Sequence, residues 1–168
     1  MAEAAGLREH RFVRLPDLRE ASDIPETVFE GLPPTYIPLR NPIFYSFAAS
    51  YAEETGASVI VGGHNKDDAE VFEDVSDEFF SRLQGALRAG SVRLRRQRLQ
   101  ILRPLRRRTK AEVLKLASAV GVPFELTWSC HKDGQSHCMS CAGCASRIQA
   151  FSEARLSDPL TSAHRKIT

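Results

Sequence analysis

The sequence has 168 residues, a formal net charge of +2, 42% hydrophobic residues, 26% charged residues and four cysteines. This composition is ordinary for one globular protein. No apolar run approaches the roughly 20 residues that a membrane span requires, and residues 1–10 carry charges where a signal peptide needs an apolar segment. We therefore expect a cytoplasmic protein with no membrane association.

The first part of the chain predicts an irregular start, then a helix and a buried strand. Residues 2–6 resemble the end of a helix with Gly6 as its C-cap, residues 11–15 a short strand, and residues 16–38 a long loop. Asn41 and Pro42 predict a helix start, with Asn41 as the N-cap. The predicted buried face of that helix comprises Ile43, Phe44, Phe47, Ala48, Tyr51 and Ala52. Residues 58–61 form a short apolar run that is typical of a buried parallel strand.

The second part alternates helices and strands. We predict a helix at 75–89, a strand at 99–102, a helix at 109–120 that opens with the capping box Thr109 to Glu112, a helix at 145–155 and a loose tail. This order favours an α/β fold with a mostly parallel sheet flanked by helices. Sites in such sheets form at the carboxyl ends of the strands, which here means the loops after Leu15, Val61 and Leu102.

All four cysteines lie within 15 residues. They are Cys130, Cys138, Cys141 and Cys144, spaced C-x7-C-x2-C-x2-C. Four thiolates so close together predict a closed, structural zinc site. An iron–sulfur cluster is an alternative, although the ferredoxin run continues with a further Cys and Pro that are missing here; chance clustering and two disulfides are others. His131 and His137 are second-rank candidates for metal ligation.

Two polar stretches are candidates for ligand binding. The loop from Gly62 to Asp74 follows the predicted strand at 58–61, and its carboxylates Asp68 and Asp74 suit a metal ion or the N–H edge of a purine-like base. Arg40 lies at the start of a helix, where free N–H groups favour an anion such as phosphate. The plain alternatives are an acidic turn with helix capping by Asp74, and an ordinary ion pair for Arg40.

Residues 88–110 contain nine arginines, one lysine and no Asp or Glu. Such a run is a candidate surface for a polyanion. The alternative is a solvated hairpin and helix start. The overall charge of +2 does not support a nucleic-acid-binding protein.

Together these stretches resemble the 7-cyano-7-deazaguanine synthase family. The motifs that carry the resemblance are Tyr36-Ile-Pro-Leu-Arg40-Asn41, the loop with Gly63, Asp68, Phe72, Asp74 and Phe79, Pro104-Leu with Lys110, and Thr127-Trp-Ser-Cys130 through Cys144-x2-Arg147. They agree in order and spacing over about residues 6–151. The resemblance implies the α/β fold of the PP-loop ATP pyrophosphatases and one structural Zn²⁺.

The resemblance also implies a reaction and a set of binding residues. The family converts 7-carboxy-7-deazaguanine, ATP and ammonia to the nitrile, in the pathway to the deazaguanine nucleosides of tRNA. ATP activates the carboxylate as an adenylate, ammonia gives the amide, and a second adenylation dehydrates the amide. Residues carried over for the substrate are Gly63, Asp68, Phe72 and Asp74; those for ATP, bound with Mg²⁺, are Arg40, Asn41 and Lys110.

This sequence departs from the family pattern in two places. It contains no Ser-Gly-Gly-x-Asp-Ser loop for pyrophosphate, and Glu73 stands where many members have Pro. We therefore expect a chain that begins within the nucleotide-binding fold and is inactive alone, and that forms a homodimer or pairs with a chain supplying the missing segment. The expected organisation is a partial nucleotide-binding domain (1–126), a zinc element (127–156) and a loose tail (157–168).

Two other functions remain open at this point. One is a non-catalytic, zinc-stapled module that binds a purine-like ligand or RNA. The other is a PP-loop enzyme with a different substrate. If the family function holds, the partners are the small-molecule substrates, and direct RNA binding is not expected.

Overall fold

The computed structural model describes residues 5–7, 9–15, 31, 36–132, 134 and 136–160. In chain order its helices and strands are α1 Arg40–Thr55, β1 Val59–Val61, α2 Lys66–Ala69, α3 Asp77–Gly90, α4 Val92–Gln97, β2 Gln100–Leu102, α5 Lys110–Ala119 and α6 Ala142–Ala154. Two 3₁₀ turns lie at Glu73–Val75 and Phe124–Leu126. None of the described helices is long and apolar enough to cross a bilayer.

The chain divides into two compact units. The sheet unit comprises Arg11–His64 and Asp68–Arg106, and the cysteine unit comprises Met1–His10, Asn65–Asp67 and Arg107–Thr168. The domain boundaries that we expect from the sequence stay a prediction.

In the sheet unit, β1 and β2 pair in parallel. Val59 lies opposite Gln100, and Val61 lies opposite Leu102. The pairing continues past β1, because the Gly62 amide donates to the Leu102 carbonyl at 2.9 Å. On the other edge of β2, the side chain of Gln84 on α3 accepts a hydrogen bond from the Ile101 amide at 2.7 Å. The α/β fold with a parallel sheet and flanking helices is therefore confirmed.

A small apolar core holds the sheet unit together. Its members, each at most 3% exposed, are Ala49 and Ala52 of α1, Leu94 of α4 and Leu99, with Ile60 and Leu87 packed against them. Two alanines on α1 allow its backbone to approach closely, so a compact core forms without large side chains.

The start of α1 differs from the prediction. The helix begins at Arg40, and the cap position belongs to Leu39, whose backbone has a positive φ of 53°. Asn41 is therefore inside the first turn and is not the N-cap. Its buried side-chain amide donates instead to the carbonyl of Asp74 at 3.3 Å. Pro42 is tolerated because N–H groups of the first turn have no partner within a helix.

The buried face of α1 is also rotated from the predicted one. The buried apolar residues are Tyr45, Ala49 and Ala52, whereas Phe44 and Phe47 are exposed. The prediction gave most weight to large apolar side chains, but the stripe that faces β1 and α4 is built mainly from small ones. Only Ala52 of the predicted set is fully buried.

In the sheet unit one predicted strand is wrong and one helix was not predicted. Residues 11–15 form no strand, and Phe12 is 86% exposed. Arg11 instead lies over the ring of Tyr51 at 4.2 Å and pairs with Glu54 at 3.7 Å. The basic stretch before β2 contains the helix α4, which we did not predict because its apolar residues alternate with arginines.

The cysteine unit is built on α5 and α6, which pack against each other. The predicted capping box opens α5: the Thr109 hydroxyl accepts from the Glu112 amide, and the Glu112 carboxylate accepts from the Thr109 amide. Helix α6 starts three residues earlier than predicted because the sulfur of Cys141 accepts from the Cys144 amide at its N-terminus.

Some predictions fall outside the described residues. Gly6 has the positive φ of a helix C-cap, at 66°, but the helix predicted before it includes residues 2–4, which are not described. The same holds for most of the predicted loop at 16–38 and for residues 161–168 of the predicted tail.

Candidate functional site

The four cysteines of the cysteine unit converge on one point. Their sulfur atoms all lie within 4.8 Å of one another, with Cys138 and Cys144 at 4.0 Å and Cys130 and Cys141 at 3.9 Å. Sulfurs bound to one tetrahedral zinc at about 2.3 Å are about 3.8 Å apart. All four are free thiols, and these separations are about twice an S–S bond. The group could therefore hold one metal ion, and it contains no disulfide.

Hydrogen bonds around the sulfurs favour thiolates. The Ser140 hydroxyl contacts Cys138 Sγ at 3.5 Å. This contact, together with the backbone amides of Ser140 and Cys141, lowers the pKa of Cys138 to about 5. The His131 amide donates to Cys141 and lowers the pKa of that thiol as well. Burial has the opposite effect on Cys144 and raises its pKa to about 12. A buried thiolate needs a nearby positive charge, which a bound cation would supply.

Backbone and aromatic contacts fix the loop that carries Cys130. The Trp128 indole N–H donates to the Cys130 carbonyl at 2.9 Å, and its ring lies 4.3 Å from that of His137. His137 Nε2 accepts from the Ser129 amide at 2.9 Å. Of the two second-rank ligands, neither His131 nor His137 belongs to the metal-binding group found among the described residues.

The segment after α6 is anchored by a buried ion pair. Arg147 donates through Nε and Nη2 to the two carboxylate oxygens of Asp158, at 2.7 and 2.9 Å, and their side chains are 7% and 3% exposed. Its Nη1 donates to the Thr127 hydroxyl at 2.6 Å and Nη2 to the Phe124 carbonyl at 3.2 Å. Arg147 therefore links Phe124 and Thr127, which precede the cysteines, to Asp158, which follows α6. The C-x2-R motif does not by itself indicate these partners.

A cleft of 880 Å³ lies in the sheet unit. Its lining residues are Tyr36, Leu39, Pro42, Ala69, Glu70, Val71, Phe72, Glu73, Asp74, Ser76, Glu78, Phe79 and Arg82. The lining combines three aromatic rings with four carboxylates, so it suits a flat ligand with N–H donors at its edge. Phe72 and Asp74, two of the substrate residues predicted from the sequence, are among these residues.

The other predicted substrate residues do not line this cleft. Gly63 is exposed just beyond β1, and no described residue lies within 4 Å of the position that a Cβ would take there. The carbonyl of Asp68 accepts from the Val71 and Phe72 amides at 3.2 and 2.9 Å, so Asp68 shapes the turn that presents Phe72.

The three predicted ATP residues are in different units. Arg40 and Asn41 belong to the sheet unit, where Asn41 supports Asp74. Lys110 belongs to the cysteine unit: its ammonium donates to the Ser146 hydroxyl at 3.1 Å and its amide to the Asp67 carboxylate at 2.8 Å.

An aromatic cluster lies beneath the loop after β1. The rings of Tyr45 and Phe80 are 4.8 Å apart, and the His64 ring lies 5.8 Å from Tyr45 and 5.3 Å from Phe80. Burial lowers the pKa of His64, which favours the neutral form of the ring. Gly62 fits against this cluster because a Cβ there would lie only 1.8 Å from the Tyr45 hydroxyl oxygen. Sequence spacing could not reveal this contact, since the two residues are far apart in the chain.

Known proteins of similar sequence show which family this chain belongs to. The model of the family described as "Queuosine biosynthesis protein QueC" matches residues 12–155. The 7-cyano-7-deazaguanine synthase of Nostoc sp. is 34% identical over 181 residues, which cover 99% of this chain and 79% of that protein. The chain belongs to the QueC family.

Two Thermoplasma relatives of this QueC-family chain are somewhat more similar over a shorter stretch. The 7-cyano-7-deazaguanine synthases of Thermoplasma acidophilum and Thermoplasma volcanium are 40% and 39% identical over 135 and 134 residues. The matches cover 80% of this chain but only 57% and 56% of those two proteins. This chain therefore spans little more than half the length of those curated relatives.

Proposed function

We propose that this chain binds 7-carboxy-7-deazaguanine in the cleft of the sheet unit, as part of a 7-cyano-7-deazaguanine synthase. Membership of the QueC family supports the class of substrate. The main observation in support of the proposal is the cleft, because its lining combines the predicted residues Phe72 and Asp74 with further aromatic rings.

In this proposal each residue has a chemical task. The Asp74 carboxylate accepts the ring N–H and amino hydrogens of the deazaguanine, since a carboxylate offers two acceptor oxygens to two adjacent donors. The Phe72 ring stacks on the base. Asp68 and Gly63, which complete the predicted substrate set, shape the approach to the cleft.

The proposed reaction activates one carboxyl group twice with ATP and Mg²⁺. A carboxylate oxygen of the substrate displaces pyrophosphate from the α-phosphorus of ATP, and ammonia then displaces AMP to form the amide. A second ATP adenylates the amide oxygen, and loss of AMP and protons leaves the nitrile. Arg40 is our proposed cation for the nucleotide phosphates, and Asn41 contributes by holding the Asp74 backbone. Lys110, which belongs to the cysteine unit, stays a predicted ATP-binding residue.

Binding of the base, measured by calorimetry, tests the cleft without requiring turnover. We expect 7-carboxy-7-deazaguanine to bind and adenine to fail, because adenine offers a different donor and acceptor pattern to Asp74. Asp74→Asn should weaken binding about tenfold or more, since it removes a charged acceptor. Glu125→Gln, at an exposed carboxylate of the cysteine unit, is the matched control and should bind normally.

Two results would contradict the proposal. The first is tighter binding of adenine or another base, which would favour a PP-loop enzyme with a different substrate. The second is unchanged binding in Asp74→Asn, which would locate the base elsewhere.

We propose further that the four cysteines hold one structural Zn²⁺. Sulfur separations of 3.9 and 4.0 Å suit one tetrahedral ion, whereas an iron–sulfur cluster spreads its ligands over several irons. Elemental analysis of the protein should give one zinc per chain and no iron. Visible absorption with stoichiometric iron and sulfide would contradict this assignment.

A further inference from the structure

Arg103 lies at the carboxyl end of β2 and is largely shielded from solvent. Its side chain is only 9% exposed. Nη1 lies 3.1 Å from the Val75 carbonyl oxygen and 3.4 Å from that of Ser76, and Nη2 lies 2.6 Å from the Asp77 carboxylate. One guanidinium thus holds three consecutive residues of the turn between the cleft and α3.

The guanidinium is fixed from a second side by an aromatic ring. Its central carbon lies 4.2 Å from the centre of the Phe80 ring, and Phe80 itself is buried. Nε is buried and has no hydrogen-bond partner among the residues that the structure describes. Burying a charged group with one donor unpaired is unfavourable by itself. The two terminal nitrogens of the planar fork contact the turn at the same time, which the single nitrogen of a lysine would not do equally well.

The turn that Arg103 holds begins directly after the proposed base acceptor. Asp74 lies in the 3₁₀ turn Glu73–Val75, and its own carbonyl accepts from the Asn41 side chain at 3.3 Å. Asn41 therefore holds the residue itself, and Arg103 holds the two carbonyls that follow it. Together these contacts fix the backbone on both sides of Asp74, which is one of the residues lining the cleft.

We propose that Arg103 is a positioning residue for base recognition: it orients the Asp74 carboxylate by holding the Val75–Asp77 turn. This inference rests on the proposed function of the cleft. Arg103 does not line the cleft, so it acts through the turn and not by touching the ligand. The sequence does not single out Arg103, because it is one of the nine arginines in residues 88–110.

The test compares two arginines that both hold backbone carbonyls. Arg88 donates to the carbonyls of Leu99 at 2.7 Å and Arg98 at 3.3 Å, and it lies outside the cleft lining. Arg103→Gln and Arg88→Gln should both lower the denaturation midpoint. Only Arg103→Gln should raise the calorimetric Kd for 7-carboxy-7-deazaguanine, by about tenfold, because small displacements of a binding group are costly.

Two milder variants keep the test informative if Arg103→Gln does not fold. Arg103→Lys retains the charge but loses the fork. Asp77→Asn removes the exposed carboxylate that accepts from Arg103 Nη2 and that also pairs with Arg106 at 3.4 Å. Each should raise the Kd by about threefold or more while the protein stays folded. An unchanged Kd in both folded variants would overturn the inference.

A double-mutant comparison separates positioning from general stability. If Arg103 acts through Asp74, then Arg103→Lys should have little further effect on the Kd in an Asp74→Asn background, since the oriented group is already lost. Equal weakening in both backgrounds would overturn the positioning role.

Hydrogen exchange separates failure of the inference from failure of the proposed function. If the unmodified chain binds no base, the proposed function fails. Amide exchange at residues 75–77 then tests by itself whether Arg103 holds the turn. Faster exchange there in Arg103→Lys, but not in Arg88→Gln, would support control of the turn. Equal exchange in the two variants would overturn it.

Discussion

At the residue scale, the side chains with the greatest structural consequence are polar and buried. Asn41, Arg103, Arg147 and Asp158 each satisfy groups far away in the sequence, and none has a pattern from which its partner could be predicted. The metal-binding cysteines are different. Their short spacing confines four soft ligands to one small volume whatever the surrounding fold, so the sequence alone predicted the group.

The two adjacent glycines after β1 should respond very differently to the same substitution. Gly62→Ala places a methyl group against Tyr45, which is buried and packed on Phe80, so we expect a loss of about 1–3 kcal/mol in unfolding free energy. Gly63→Ala is the matched control and should change stability by less than about 0.5 kcal/mol, because its Cβ meets open space. Urea denaturation measures both, and equal effects would contradict the Tyr45 contact.

Removing one partner of the buried ion pair should be strongly destabilising. Arg147→Met leaves the Asp158 carboxylate buried without its partner, so we expect a loss of about 3–5 kcal/mol. Arg82→Met is the control: the ion pair of Arg82 with Glu78 is exposed, so its loss should cost no more than about 1 kcal/mol. Comparable losses in the two variants would mean that the Arg147 pair is not buried in solution.

The same ion pair predicts a pH dependence. Burial alone would raise the pKa of Asp158, but the hydrogen bonds and charge of Arg147 outweigh it and lower the pKa below its ordinary value. A lowered folded-state pKa stabilises the protein above the unfolded value of about 3.9, and this contribution is lost as the pH falls through the folded-state pKa. The stability difference between the unmodified protein and Asp158→Asn should therefore shrink on acidification. A difference that is constant below pH 4 would contradict the shift.

At the element scale, local signals predicted some helices and both strands but not which faces are buried. The capping box at Thr109 and the apolar runs of β1 and β2 are local, so α5 and the strands were predicted nearly correctly. Helix α4 was missed because only Leu94 is fully buried in it and its arginines obscure the period. The strand at 11–15 failed because a strand needs a partner, which a single sequence does not show.

Loss of the capping box should weaken α5 specifically. Thr109→Ala removes the hydroxyl that accepts from the Glu112 amide, and we expect about 1 kcal/mol of destabilisation. Ser118→Ala, at an exposed site in the same helix, should be nearly neutral. Thermal denaturation of the two variants compares them, and an equal shift would show that the cap contributes nothing.

At the scale of the whole molecule, the arginines of residues 88–110 do not all have the same role. The run of nine arginines, which suggested a polyanion surface, includes Arg88 and Arg103, whose guanidiniums are bound to backbone carbonyls. The run is therefore not a uniform binding surface, although Arg93, Arg95 and Arg96 are exposed. The expected dimer, or a second chain that completes the nucleotide site, stays a prediction.

Metal removal should disrupt the cysteine unit. Without a cation the buried Cys144 thiol stays protonated, because its pKa is raised to about 12, and the sulfurs lose the ion that would hold them together. We expect chelation to accelerate amide exchange across residues 128–147 and to leave β1 and β2 protected. Unchanged exchange in that segment would contradict a structural metal.

The cleft of the sheet unit is our proposed binding site for a deazaguanine. A crystal structure of the protein with 7-carboxy-7-deazaguanine would show whether the base binds there. We predict the base stacked on Phe72, with its ring N–H and amino group donating to the Asp74 carboxylate. A base bound at any other site, or an empty cleft at saturating ligand, would contradict the claim.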